Sequence, residues 1–192
     1  MCCALHLPAD NPDRVKRTVA VETVWKQAVV ALPESYRVRA GRAGAYFDEG
    51  GAKWALAEQE AKKAIALDST RIAGYQVLSE AYTSQGKWSD WEELLKQARA
   101  NVPDDLSPEY QVACLILARN MGPQMARAEA YLRDYLKQPA EGQEPTLAEA
   151  HWKLGLVLEK EGHMKEAANE VLTAVNIDSS LAGAKKDLKR LK

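Results

Sequence analysis

Four stretches of this chain repeat one order of small and large residues, at offsets that only paired helices can use. In the first helix of each pair the columns read Ala40, Tyr75, Tyr110, His151, then Ala43, Leu78, Ala113, Leu154. The next two read Gly44, Ser79, Cys114, Gly155 and Phe47, Tyr82, Leu117, Leu158, with successive spacings of 35, 35 and 41 residues. The second helices align as Ala57, Ala61, Ala64, then Trp91, Leu95, Ala98, then Ala128, Leu132, Tyr135, then Ala167, Val171, Ala174. Ser69, Pro103, Ala140 and Ser179 close the four units. Offsets of three and four residues place each set on one helical face. Small residues there let two helices approach closely, and large ones fill the gap to the next pair. A chain built this way folds as stacked hairpins or not at all.

The punctuation supports ten helices. Asn11-Pro12-Asp13 starts a helix over 12–32, which Pro33 ends. Hairpins follow over 35–67, 71–101, 107–137 and 147–176, with a last helix over 179–191. Ser107-Pro108-Glu109 opens the third hairpin, and Thr146 with Glu149 forms a capping box at the fourth. Residues 1–11 read as a flexible terminus, and Pro139–Pro145 is the longest linker. No segment alternates as a strand would. The helix at 12–32 matches the second helices, Ala28 lying 36 residues before Ala64, yet nothing before it is long enough to pair with it.

Charge and composition exclude several function classes. With 26 Lys and Arg against 27 Asp and Glu, the net charge of -1 lacks the basic excess that general nucleic-acid binding needs. Lys185, Lys186, Lys189, Arg190 and Lys192 make a basic tail, but Leu181, Ala184, Leu188 and Leu191 give it the stripe of a capping helix. No apolar run reaches the ~18 residues of a membrane span. Three cysteines make no disulfide framework, which favours a reducing, cytoplasmic location; an exported or envelope location follows if a segment upstream is missing.

Catalysis has one candidate region. His151, Glu159 and His163 could hold a metal or move protons in a small enzyme or regulatory domain. Against this, His151 falls in the column of Tyr75 and Tyr110, and His163 sits in a hairpin turn. Neither HExxH nor CxxC is present, and Cys114 lies in the small column. The expectation is no enzyme, no metal and no cofactor.

Large-x-x-Leu-Gly-x-x-large-x-x-x-Gly, then Ala, a large residue and Ala before a helix stop, resembles the tetratricopeptide repeat, whose length is ~34 residues. AEAHWKLGLVLEKEGHMKEAANEVLTAVNIDSS fits it best, and the resemblance covers about 12–192. It implies an all-α, right-handed superhelical solenoid forming a single domain over 12–192. That domain would hold four hairpins, an unpaired N-terminal helix and a C-terminal cap. It also implies protein–protein binding, as an adaptor, chaperone-like module or assembly factor, through a groove lined by first helices. The groove columns give Val38, Gly41, Ala45 and Asp48; Gln76, Glu80, Thr83 and Ser84; Gln111, Leu115, Ala118 and Arg119; and Trp152, Leu156, Glu159 and Lys160. Trp152 and Leu115 read as an anchor pair, the equal alternative being that Trp152 covers the neighbouring hairpin across the long linker. The carboxylate clamp of family members that bind chaperone tails is unsupported, since Gly41, Ala45, Gln76 and Thr83 stand at the matching positions. The partner implied is a protein or peptide. Val21, Val24, Trp25 and Ala28 on the unpaired helix would leave an apolar face, to be covered by residues 1–10 folding over it, by a second copy in a homodimer, or by chain lying upstream.

Overall fold

The computed structural model describes residues 12–138 and 145–191, with side chains from residue 19 onward. The expected flexible terminus at 1–11, with Cys2, Cys3, His6 and the cap Asn11, lies outside the described residues. So do Lys192 and most of the linker, including Ala140. Among the described residues the fold is all helical. The ten α-helices are α1 (Pro12–Ala31), α2 (Tyr36–Glu49), α3 (Trp54–Leu67), α4 (Ile72–Ser84), α5 (Trp88–Asn101), α6 (Ser107–Ala118), α7 (Met125–Tyr135), α8 (Leu147–Lys160), α9 (Met164–Ile177) and α10 (Ala182–Leu191). They fall into two compact units, Met1–Pro103 and Asp104–Lys192.

Local chemistry sets the boundaries. Ser35 Oγ accepts from the Val38 amide at 3.4 Å to cap α2. The capping box of α8 is complete: Glu149 N donates to Thr146 Oγ1 at 3.1 Å, and Thr146 N donates to Glu149 Oε2 at 3.0 Å. Between hairpins the chain turns on an aspartate. Asp68 accepts from the Thr70 amide at 3.1 Å and Asp178 from the Ser180 amide at 2.7 Å. The second of these turns delays α10 to Ala182, three residues past the expected start. At the third hairpin Asp105 accepts from the Ser107 amide at 2.9 Å, so the turn begins two residues before Ser107-Pro108.

In the first unit α2 pairs with α3 and α4 with α5, α4 packs against both α2 and α3, and α1 rests on α2. In the second, α6 pairs with α7 and α8 with α9, α8 also meets α6 and α7, and α10 lies on α9. The small slot that permits each close approach is Ala43, Ser79, Ala113 and Gly155, all buried. This corrects the sequence columns in two hairpins, where Gly44 and Cys114 stand one residue too late. The corrected spacings are 36, 34 and 42. The left-handed turn residues Gly50, Gly86, Asn120 and Gly162 repeat the same three intervals.

Charge in core positions hid this register. In the second hairpin Tyr75, Leu78 and Tyr82 fill the large slots, as expected. In the third the buried residues are Glu109, Val112 and Ile116, each one place before Tyr110, Ala113 and Leu117; Glu109 is only 1% exposed. In the first, Arg39 and Arg42 take two of the slots and Tyr46, not Phe47, takes the third. Their charges are met by buried Glu60, at 3.0 Å from Arg39 and 3.9 Å from Arg42. The fourth hairpin uses the same geometry: His151 Nδ1 lies 2.7 Å from Glu170 Oε2. Glu60 and Glu170 each stand three residues after the first column alanine of the second helix, Ala57 and Ala167. Leu94 and Tyr131 fill that position in the other two hairpins. One packing slot therefore holds a glutamate with a polar partner in the first and fourth hairpins and a bulky side chain in the second and third.

Candidate functional site

In the first unit Val38 is buried and Gly41 is covered: a Cβ there would fall 2.3 Å from Trp25 Cη2 of α1. Ala45 is half-buried. Asp48 is exposed at the end of α2, though partial desolvation raises its carboxyl pKa. Gln76 and Glu80 are half-buried on α4 and both are engaged. Thr83 is buried, its hydroxyl donating to Ser79 O at 2.7 Å, and the half-buried Ser84 has an enclosed Oγ without a hydrogen-bond partner. What remains open on this face is polar.

In the second unit the register shift moves the face. Residues aligned with Gln76, Glu80 and Thr83 are Tyr110, Cys114 and Leu117, one before the expected Gln111, Leu115 and Ala118. Gln111 and Leu115 are half-buried, and Gln111 Oε1 is enclosed without a partner. Ala118 and Arg119 are exposed at the end of α6, Arg119 with a partner. Tyr110 lies 5.2 Å from the Tyr135 ring. Burial, and then the neighbouring Cys114, push its phenol well above the ordinary value. Cys114 is a free thiol pushed upward by burial, the opposite of an activated nucleophile.

Trp152 is not an open anchor. Its indole seats on α10, where a Cβ at Gly183 would fall 2.3 Å from its Cη2, and its Nε1 donates to Asp187 at 2.9 Å. Glu159 is held by a two-pronged bridge from Arg190, whose Nη2 also lies 3.1 Å from Asp187. That leaves Leu156 half-buried and Lys160 exposed. The sequence columns contained Trp152 and Glu159, but nothing in them showed that α10 would cover both.

The residues expected for self-association divide. Val21 and Val24 are exposed, whereas Trp25 and Ala28 are half-buried, Trp25 against Gly41 of α2. Val19, Val30 and Leu32 extend the exposed aliphatic surface, Val30 at 82%. The region around 151–163 is likewise not one site: His151 belongs to the core pair with Glu170, while His163 meets Glu161 and Glu129. Glu129, on α7, had no sequence signal linking it to the histidine.

Helical hairpins of this length, stacked through an Ala/Ser/Gly slot and turned on left-handed residues, are matched by solved structures. A thermophilic tetratricopeptide repeat protein of Thermus thermophilus superposes with a TM-score of 0.66 at 19% identity, covering 92% of this chain and 91% of its own. The chain has the tetratricopeptide-repeat fold. MamA gives a TM-score of 0.62 at 19% identity, with 91% and 96% covered. YrrB, described as a tetratricopeptide repeat protein with an unusual peptide-binding site, gives 0.53 at 17%, with 87% and 81% covered. No family model and no curated protein matches the sequence. Among the described residues no helix is long and apolar enough to cross a membrane.

Proposed function

We propose that this tetratricopeptide chain is a non-catalytic adaptor or assembly module that holds a peptide segment or helix of another protein against its first helices. The observation that carries this reading is a half-buried strip on the columns aligned with Gln76, Glu80 and Thr83, formed by Tyr110 and Leu117 of α6 and Leu156 of α8. Apolar anchors among hydrogen-bonding groups suit an amphipathic segment. The peptide-binding site named for YrrB is consistent with this use of the fold. Residues 12–192 acting as one solenoid domain, and a reducing, cytoplasmic location with Cys114 free, are part of the same reading. Affinity capture tests it. A Leu117→Glu/Leu156→Glu variant should lose partners that the wild type and Leu172→Glu retain, since Leu172 is exposed on the second helix α9. Unchanged capture would remove the strip from consideration.

A second element of the proposal is self-association through α1. Its support is the concentration of exposed aliphatics there, Val19, Val21, Val24, Val30 and Leu32, on a helix that rests on α2 and is tied to Lys53 through Glu22.

A further inference from the structure

The geometry points to a zinc site formed by Glu129, Glu161 and His163, tying α7 to the turn between α8 and α9. Glu161 follows the last residue of α8 and His163 precedes the first of α9, with Gly162 between them in the left-handed conformation at φ 85°. That turn brings the Glu161 carboxylate and the His163 imidazole to the same side. Glu129 reaches them from α7, and one ligand atom from each of the three lies within 4.8 Å of the others.

Two further observations favour a cation. Glu161 Oε2 is fully enclosed and has no hydrogen-bond partner, an arrangement that costs free energy until positive charge or a proton meets it. Arg133 occupies Glu129 Oε1 at 2.6 Å, which leaves Glu129 Oε2 and the enclosed Glu161 Oε2 to face a second cation. The cluster borders an open pocket of about 560 Å³ lined by Asn120, Gly122, Met125, Lys160, Glu161 and His163, so an ion and a coordinated water can enter.

Two carboxylate oxygens and one imidazole nitrogen form a donor set that Zn²⁺ accepts, at bond lengths of about 2.0–2.2 Å that put tetrahedral ligands about 3.4 Å apart. The side chains must close by about an ångström from their present spread, a rotation open to an exposed His163 and two half-buried glutamates. The ion would cross-link the hairpin α6–α7 to the hairpin α8–α9. The site stabilises this unit and is independent of what the first helices bind.

Titration of Zn²⁺ into the full chain tests the assignment, using a Cys2→Ser/Cys3→Ser/His6→Ala background to remove terminal ligands. Calorimetry should give one ion per chain, and an excess of about a hundredfold over Kd should raise Tm by about 5–10 °C. Glu161→Gln and His163→Ala should each weaken binding at least about tenfold, the loss expected when a ligand is removed. Their helical circular dichroism should be unchanged. Absence of saturable binding would overturn the site. Stoichiometric binding that both substitutions leave intact would overturn it equally, by placing the ion elsewhere.

Discussion

At the scale of single residues, the small slot is where one methyl group decides stability. A Cβ on Gly155 would fall 2.5 Å from Val171 Cγ2 and 3.0 Å from Ala167 O, so the helix α9 backbone blocks it as well as a side chain. Gly155→Ala should therefore destabilise by about 1–3 kcal/mol, the cost of overpacking a core. Gly44→Ala serves as the comparison. A Cβ there meets only Val77 at 3.9 Å, an ordinary contact, and the substitution should be neutral or slightly stabilising through helix propensity. Urea denaturation of the two variants checks both expectations. Equal midpoints would mean that Gly44, not its neighbour Ala43, belongs to the slot.

At the scale of elements, two pairings carry specific consequences. Glu60 on α3 bridges Arg39 and Arg42 of α2 and accepts from Lys63 at 3.0 Å. Burial works to raise its pKa, but the hydrogen bonds from Arg39 and Lys63 outweigh it and hold the carboxyl below the ordinary 4.5. A depressed folded-state pKa gives stability that is present above 4.5 and lost as pH falls through the lower folded value. Glu60→Ala should cost about 3 kcal/mol at neutral pH, because two arginines lose their buried partner. It should also flatten the acid limb of the stability profile, which pH-dependent urea melts measure. At the other end, α10 is held by Trp152 on Gly183 and by the core of Val171, Ala174, Ala184 and Leu188. Trp152→Ala should cost about 2–4 kcal/mol as a partly collapsible cavity opens. If capture of partners survived this substitution while stability fell, Trp152 would be a residue of the cap and not of the binding face.

At the scale of the whole molecule, the open surfaces differ in chemistry. The first unit offers Asp48, Gln76 and Glu80, the second Leu115, Leu117 and Leu156, and α1 carries exposed valines. Val24→Lys/Val30→Lys should shift light-scattering mass from dimer to monomer without loss of helicity, and a wild type that is monomeric at high concentration would end the self-association reading. The sequence alone determined the all-helical class, the number of hairpins and nearly every helix boundary. Those follow from local periodicity, capping groups and turn residues that need no distant partner. It determined the fourth hairpin residue by residue, because Leu154, Gly155, Leu158 and Ala167 are unambiguous in size and polarity. Tertiary structure decided the register of the first and third hairpins. There Arg39, Arg42 and Glu109 occupy core slots that hydrophobic patterning cannot recognise, since a charge is admitted inside when a partner compensates it, as Glu60 of α3 does for Arg39 and Arg42. Tertiary structure also decided which face residues stay open. Trp25 over Gly41 and α10 over Trp152 are contacts between elements, and no spacing within one helix records what will lie across it.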